Sequence, residues 1–439
     1  MNLSFLEEEI ARWKVSDVRR LQITGERYYR GDHDILRRKR TVIGEGGALR
    51  EVQNLPNHRI VNNQYARMAD QKVNYLLAKP VTFEAEDEAY GEAVRRVFDR
   101  EFLHTLKCVG LDAINCALGW LHPYYDEQGE FCIKRFPAYE ILPFWADRAH
   151  KRLDAAVRLY EVERYEGRRR VTDEWVELYR PGGVSVFRLE GGRLKLEREC
   201  CHILCPAMNW ARVPLVPFRY NDREIPLITR IKSLQDSLNL MLSDFQNNMQ
   251  EDARNTILVL KNYDGTDLGE FRRNLAEFGA VKVRTVDGAA GGIETLNVEV
   301  NAANFESILA LLARAIVENA MGFDTRDVRV SAYTNRMSLQ SMYADIDLDA
   351  NAMECEFTSA LMELLAFVDA HLGRSGEIRM TFNRDMMMNE AEIMATLHDA
   401  GLKLSNETLI GQVPFVHDVG VELRRLQKEE THGRNDTEQ

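Results

Sequence analysis

Hydrophobic and polar positions change their period near residue 226. Beyond it, apolar residues recur every three or four places over long stretches. Leu227, Ile231, Leu234, Leu238, Met241, Phe245 and Met249 form one such series, with no Gly or Pro as far as Arg254. That period predicts a helix, opened by the capping types Asn221 and Asp222 with Pro226 in the first turn. Phe305, Leu309, Leu312, Ile316 and Ala320 predict a second helix over Ala302–Met321. A third, about Ser338–Leu372, has the cleanest stripe: Met342, Ile346, Ala350, Met353, Phe357, Leu361, Leu364, Val368 and Leu372. Between the first two lies a compact insert. It reads as strand TILVLK, a helix from about Leu268 to Phe278, strand AVKVRTV, a Gly-rich turn at Gly288–Gly292 and strand IETLNVEV. Strand EIRMTF and three short helices complete the chain, and the polar tail from Thr431 predicts disorder.

Before residue 226 the pattern is mixed. Ten of the eleven prolines lie between Pro56 and Pro226, which predicts a mixed, turn-rich first half. Helical spacing predicts one helix over Asn62–Lys79 and another from about Glu86 to Leu118. From Trp120 to Phe218 short β-type runs (LHPYY, FCIKRF, AAVRLYEVERY, EWVELY, VSVFRL, HILCP) alternate with turns such as Pro181-Gly182-Gly183. The expected fold class is α+β, with an antiparallel meander in the first half and long helices in the second.

A chain of 439 residues predicts two to four units, at ~100–200 residues per domain. With 45% hydrophobic and 29% charged residues, neither global disorder nor an integral membrane protein fits. The apolar stretch Ser307–Val317 is short and contains Arg314. The acidic N-terminus MNLSFLEEEIARW argues against an export signal. Seven cysteines without a regular framework fit a reducing compartment. The net charge of −12 excludes a chain that grips DNA over its whole surface. It permits one that touches DNA locally or encloses it. From Glu224 to Arg254 there are five acidic residues (Glu224, Asp236, Asp244, Glu251, Asp252) and three basic (Arg230, Lys232, Arg254), with a Ser-Asn-Gln series to present to water.

Catalytic motifs are scarce. Gly44-Glu45-Gly46-Gly47 lacks the Lys-Ser/Thr of a phosphate loop, and neither HExxH nor GxSxG occurs. No catalytic residue, cofactor or metal ligand is assigned. Asp345, Asp347, Asp349 and Glu356 have calcium-loop spacing, but Ala350 stands where that loop needs Gly and the helical stripe runs through them. Cys200, Cys201, His202 and Cys205 lack the second ligand pair of a zinc site, so a buried strand is expected. His33, between Asp32 and Asp34, has no matching nucleophile and reads as a loop at a helix end. The run Arg37-Arg38-Lys39-Arg40 reads as a solvated loop before a phosphate contact. Arg326, Arg329, Asn335 and Arg336 lie on a polar connector between two helices, an exposed link that could meet phosphates transiently.

The order of parts, together with YYRGDHDIL at 28–36, NHRIVNNQYARMADQKVNYLLAKPV at 57–81, PLITRIKSLQDSLNLMLSDFQNNMQEDARNTILVL at 226–260 and NRMSLQSMYADIDLDANAMECEF at 335–357, resembles the portal proteins (head–tail connectors) of tailed double-stranded DNA bacteriophages. The resembling branch is common in long-tailed phages and prophages of Gram-positive bacteria. The resemblance implies a wing at 1–223, a stem helix at 224–253, a clip at 254–300 and a return helix at 301–322. It further implies a tunnel loop at 323–337, a long helix at 338–374, a wing strand and crown helices at 375–430, and a tail at 431–439. It implies a closed homo-oligomeric ring, usually dodecameric, at one capsid vertex of the virion, assembled in the host cytoplasm. Arg326, Arg329, Asn335 and Arg336 become candidate DNA contacts. Asp264, Asp267, Arg272, Arg273 and Asp287 in the clip become candidates for docking the terminase motor and head-completion proteins; capsid and scaffold proteins are the other implied partners. Between tunnel loop and long helix, relatives often carry small residues, whereas Asn335-Arg336-Met337 is bulkier here. Two other classes remain at this stage: a metal-dependent phage nuclease, and a calcium sensor built on Asp345–Glu356.

Overall fold

The computed structural model describes residues 2–43, 47–53, 55–204, 207–252, 257–261, 292–296, 302–324 and 336–384, with 405, 410 and 422–426 beyond. The chain opens with two helices, α1 (Leu3–Lys14) and α2 (Asp17–Tyr29), and a short hairpin, β1 (Thr41–Ile43) and β2 (Leu49–Glu51). Then come α3 (Gln64–Leu77), β3 (Thr82–Ala85), α4 (Glu88–Val97) and α5 (Arg100–Cys116). The strand-rich region holds β4 (Leu118–Tyr125), β5 (Phe131–Phe136), β6 (Ile141–Trp145), β7 (Leu153–Glu166), β8 (Arg169–Arg180), β9 (Gly183–Glu190) and β10 (Arg193–Cys200). It ends with β11 (Ile203–Leu204), β12 (Ala207–Met208) and β13 (Val216–Arg219). The last part holds α6 (Leu227–Asp252), β14 (Ile257–Lys261), β15 (Gly292–Leu296), α7 (Ala302–Asn319), α8 (Arg336–Leu372) and β16 (Ile378–Thr381).

These elements form two compact units, each discontinuous in sequence: residues 1–70 with 109–320, and residues 71–108 with 321–439. In the first, β6 to β10 form an antiparallel meander in the order β10-β9-β8-β7-β6, beside a separate three-stranded sheet β13-β4-β5. Successive side chains of β7 face opposite ways. Ala155, Val157 and Leu159 meet Leu6 and Ile10 of α1, whereas Ala156 joins Trp120, Phe136, Tyr179 and Leu215. Both faces of the meander are thereby covered. In the second unit, β16 pairs antiparallel with β3, from Ile378 opposite Ala85 to Thr381 opposite Thr82.

Three expectations change. The helix expected over 86–118 is two helices, because Phe98 leaves helical geometry and the Asp99 carboxylate accepts the Phe102 amide at 2.9 Å, starting α5 anew. Pro226 stands just outside α6, its carbonyl accepting the Thr229 amide at 3.1 Å. Asn221 instead caps the turn ahead of it, accepting from the Arg223 and Ile225 amides. The N-terminal helices and strands β6 and β10 were not anticipated. Asn2 and Ser16 cap α1 and α2, and Leu6, Ile10 and Trp13 have helical spacing, so that signal was present. Strands β6 and β10 are the sheet edges. Pro143 is tolerated in β6 because an edge strand need not donate on both sides, and β10 is too exposed to alternate.

Candidate functional site

The Ser-Asn-Gln series of α6 faces water only in part: Ser233, Ser237 and Gln246 are exposed, but four members point inward. Gln235, Asn239, Ser243 and Asn247 are all fully buried, one per helical turn. Each takes a backbone amide from residues 58–65, a strap over 58–63 that enters α3 at Gln64. Gln235 accepts from Tyr65 at 3.0 Å, Asn239 from Asn62 at 3.0 Å, Ser243 from Ile60 at 3.0 Å and Asn247 from His58 at 2.7 Å. From Asn239 to Asn247 the registers match because four helical residues rise about 6 Å while two extended residues span about 6.6 Å. The strap runs opposite to the helix and has no sheet neighbour, so side chains do the work of a ladder strand. Gln235 also donates to the Asn62 carbonyl at 2.8 Å.

The motif at 28–36 docks beside this ladder. His33 is fully buried, stacks on Tyr28 at 4.4 Å, and receives the Asn239 amide on Nδ1 at 2.8 Å. Its Nε2–H therefore donates to the Tyr28 carbonyl at 3.0 Å. Burial lowers the His33 pKa, and a proton on Nδ1 would face the Asn239 amide hydrogens. His33 is thus a neutral structural residue, as the sequence reading favoured. Lys232 bridges Asp34 and Asp236, each at 2.7 Å, and the Tyr28 hydroxyl donates to Asp236 at 2.5 Å. Burial opposes charge on Asp34, but its bonds to Lys232 and Arg27 prevail and hold its carboxyl well below the usual range. The basic run is tied down locally: Arg37 pairs with Asp32, Arg38 with Asp244 of α6, and Lys39 with Glu51.

Helices α6 and α7 pack together, with Phe245 and Phe305 5.0 Å apart. The outward residues of α6 are Thr229, Ser233, Ser237, Leu240, Gln246 and Met249, none of them charged. On α7, Ile308 is 42% and Leu311 67% exposed, Glu306 is exposed, and Arg314 and Glu318 pair with each other. The paired helices thus present a face that is polar or apolar and nearly without net charge.

In the second unit α8 runs unbroken through Asp345–Glu356. Asp345 is exposed, Asp347 accepts from the Tyr75 hydroxyl and pairs with Arg384, and Asp349 pairs with buried Lys72. A straight helix sends these carboxylates in different directions, so they cannot wrap a calcium ion. His202 takes the Trp210 amide on Nδ1, and burial lowers its pKa to about 4. Among the described residues no group of three or more His, Cys, Asp or Glu side chains is placed to hold a metal. Among them, too, no helix is long and apolar enough to cross a membrane.

Of the candidate DNA contacts, Arg326, Arg329 and Asn335 lie outside the described residues, and Arg336 is placed only as the first residue of α8. Asp264, Asp267, Arg272, Arg273 and Asp287 also lie outside them, as do the expected helix 268–278, strand AVKVRTV, Cys205, the crown helices other than 410 and 422–426, and the tail. What is described of the insert is its base. Strands β14 and β15 pair antiparallel, with Lys261 opposite Gly292 and Ile257 opposite Leu296, so 262–291 leave and return at one end of a ribbon.

In chain order, α6 is followed by the β14–β15 pair, by α7 packed on α6, and by the 37-residue α8. The family model described as phage portal protein, SPP1 Gp6-like, matches residues 16–434, and the chain belongs to that family. Its function is that of a phage portal. It is 27% identical over 425 residues to the portal protein of Bacillus phage SPP1, covering 93% of this chain and 83% of that one. It is 26% identical over 422 residues to the portal protein of Clostridium phage phiCD119, covering 92% and 91%. A solved structure described as the neck of a native GTA particle, computed with C12 symmetry, is 12% identical with a TM-score of 0.44, covering 80% of this chain and 89% of that one.

Proposed function

We propose that copies of this chain close into a ring, usually of twelve, around a channel for double-stranded DNA at one capsid vertex. The observation that carries this reading is the face of α6 and α7. Its exposed Leu240, Met249, Ile308 and Leu311 want apolar neighbours, which adjacent copies in a closed ring supply. Its low net charge, with exposed Glu306 adding only an acidic group, suits a wall past which a polyanion slides, since many phosphate contacts would hold the DNA. In this reading 1–223 form the wing and 224–253 with 301–322 the stem. Residues 254–300 form the clip that meets the terminase motor and then head-completion proteins. Residues 323–337 form the tunnel loop, with Arg326, Arg329, Asn335 and Arg336 toward DNA, and 338–430 carry the long helix and crown. Capsid and scaffold proteins surround the ring, which assembles in the host cytoplasm and ends in the virion. The chain performs no catalytic step of its own; ATP hydrolysis belongs to the motor.

Negative-stain electron microscopy with a light-scattering mass on the same sample tests this. Rings with a central hole and a mass near twelve chains are expected. A monomer or dimer that stays so when co-produced with scaffold and capsid proteins would refute it.

A further inference from the structure

Strands β7 and β8 outrun the sheet they belong to. β6 pairs with β7 only as far as Arg158, and β9 pairs with β8 only from Glu174 onward. Residues 162–166 and 169–173 therefore pair with each other alone, as a two-stranded ribbon with both edges free. The cover from α1 ends where its last residue, Lys14, pairs with Glu174 at 2.6 Å. Every residue from Glu161 to Arg170 is exposed.

A lone two-stranded hairpin is marginal in water, and this one is held by charge. Arg164 pairs with Asp173 across the strands and with Glu166 along its own, and Arg170 pairs with Glu163 across the strands. Gly167, at φ +63°, opens the two-residue turn that joins Glu166 to Arg169. These pairs engage every carboxylate from Val162 to Asp173. Arg168 and Arg169 are left over: neither has an ion-pair partner among the described residues. Glu161 stands at the base of the ribbon, roughly 20 Å from the turn at about 3.3 Å per residue. That is beyond the ~8 Å over which salt lets exposed charges act on each other.

Side chains directly opposite each other share a face of the ribbon, and neighbours along a strand alternate. Arg169, opposite Glu166, is on one face, and Tyr165, opposite Arg170 and 72% exposed, is on the other. Arg168 lies in the turn between. The tip thus has hydrogen-bond donors on both faces, and residues 163–170 include no aliphatic side chain. A protein interface is built around an apolar core, whereas a DNA interface is polar and positively charged. The major groove of DNA, about 12 Å wide, admits a two-stranded ribbon. Donors on both faces of such a ribbon meet phosphates on both walls of the groove.

We propose that the tip of this ribbon, through Arg168, Arg169 and the Tyr165 hydroxyl, is a second contact for double-stranded DNA, separate from the stem and from 323–337. The inference takes from the function proposed above only that double-stranded DNA meets this chain. Two unpaired arginines per chain give a weak and local hold, in keeping with a net charge of −12.

A covalently closed circular duplex cannot thread a closed ring, so its binding to the full-length protein reads contacts outside the channel. Affinity is measured from about 50 to 200 mM salt. Three proteins are compared: the parent, Arg168→Gln with Arg169→Gln, and Arg193→Gln with Lys195→Gln, which removes the same charge from exposed positions of β10. At about 0.9 per phosphate contact, the log–log salt slope of the tip variant should be shallower by roughly 1.8 for each chain engaged. Over that salt range the parent then loses about twelvefold more affinity than the tip variant. The β10 variant should match the parent. In filled heads, p-benzoylphenylalanine at position 165 should cross-link to DNA. Equal slopes in parent and tip variant, an equal loss in both variants, or no binding by the parent would overturn the inference, and so would a probe at position 165 that captures protein or nothing. Light scattering on the same samples keeps the two readings apart: a parent that forms no rings refutes the ring, while its binding to circular DNA still reports on the ribbon.

Discussion

Replacing Ser243 by Ala removes one rung between α6 and the strap. The Ile60 amide then loses its acceptor at 3.0 Å in a site where Ser243 was fully buried. Leaving a buried donor unmet costs about 1–3 kcal/mol. Asn239→Ala strands more: the Asn62 amide loses its acceptor and His33 Nδ1 its donor, while the Gln235 amide loses one acceptor and keeps the Asn62 carbonyl. Two orphaned groups put its cost at about 2–6 kcal/mol, less any relaxation the strap allows. Ser237→Ala is the control, since its exposed hydroxyl only bonds back to the Ser233 carbonyl of its own helix. Such a change falls within about 0.5 kcal/mol. Amide hydrogen exchange resolved over 58–65 is the direct assay. In Ser243→Ala the Ile60 amide is expected to exchange about 5- to 150-fold faster, the factor that 1–3 kcal/mol represents. Unfolding midpoints should fall in the order Ser237→Ala, Ser243→Ala, Asn239→Ala. Equal exchange at Ile60 in the two serine variants would refute the ladder as what holds the strap.

Asp112 lies 2.8 Å from Arg135, yet burial outweighs that pairing and pushes its carboxyl up to about 7. A carboxyl raised in the fold contributes stability below its ordinary pKa and loses it as pH rises through the folded value. Between pH 5 and 7, Asp112→Asn should therefore flatten the fall of stability with pH by up to about 1.4 kcal/mol per pH unit in denaturant titrations; parallel profiles would contradict this. Gly25→Ala would set a Cβ 1.9 Å from the Asn115 carbonyl oxygen, against nothing within 4 Å at Gly182. It should lower the melting midpoint by the equivalent of about 1–3 kcal/mol or more while Gly182→Ala does not. Arg329→Ala or Arg336→Ala should leave ring mass unchanged and reduce packaged DNA length or packaging rate; normal packaging with both changes combined would remove them from the contact set. Because Lys261 and Gly292 are paired, replacing 262–291 by a short turn should keep the protein soluble and abolish motor docking; loss of soluble protein would place the insert in the core instead.

The long helices were legible in the sequence because their signal is local. Nothing between Leu227 and Arg254 or along the stripe from Met342 to Leu372 breaks a turn, and a period near 3.6 needs no partner to be read. The rejection of a calcium loop at Asp345–Glu356 rested on the same local argument, and α8 passes straight through it. The family followed from several such stretches in order. Burial of polar residues did not follow. Gln235, Asn239, Ser243 and Asn247 look like a solvated face, since such side chains enter a core only when bonded, and their partners are amides some 170 to 190 positions away. The same holds for edge strands β6 and β10, and for Lys72, whose carboxylate partner stands 277 residues further on. What the sequence by itself determined was each element whose stability argument closes within a few turns of chain. What only the tertiary structure decided was which polar groups satisfy one another, because a hydrogen bond between distant segments leaves no period in either of them.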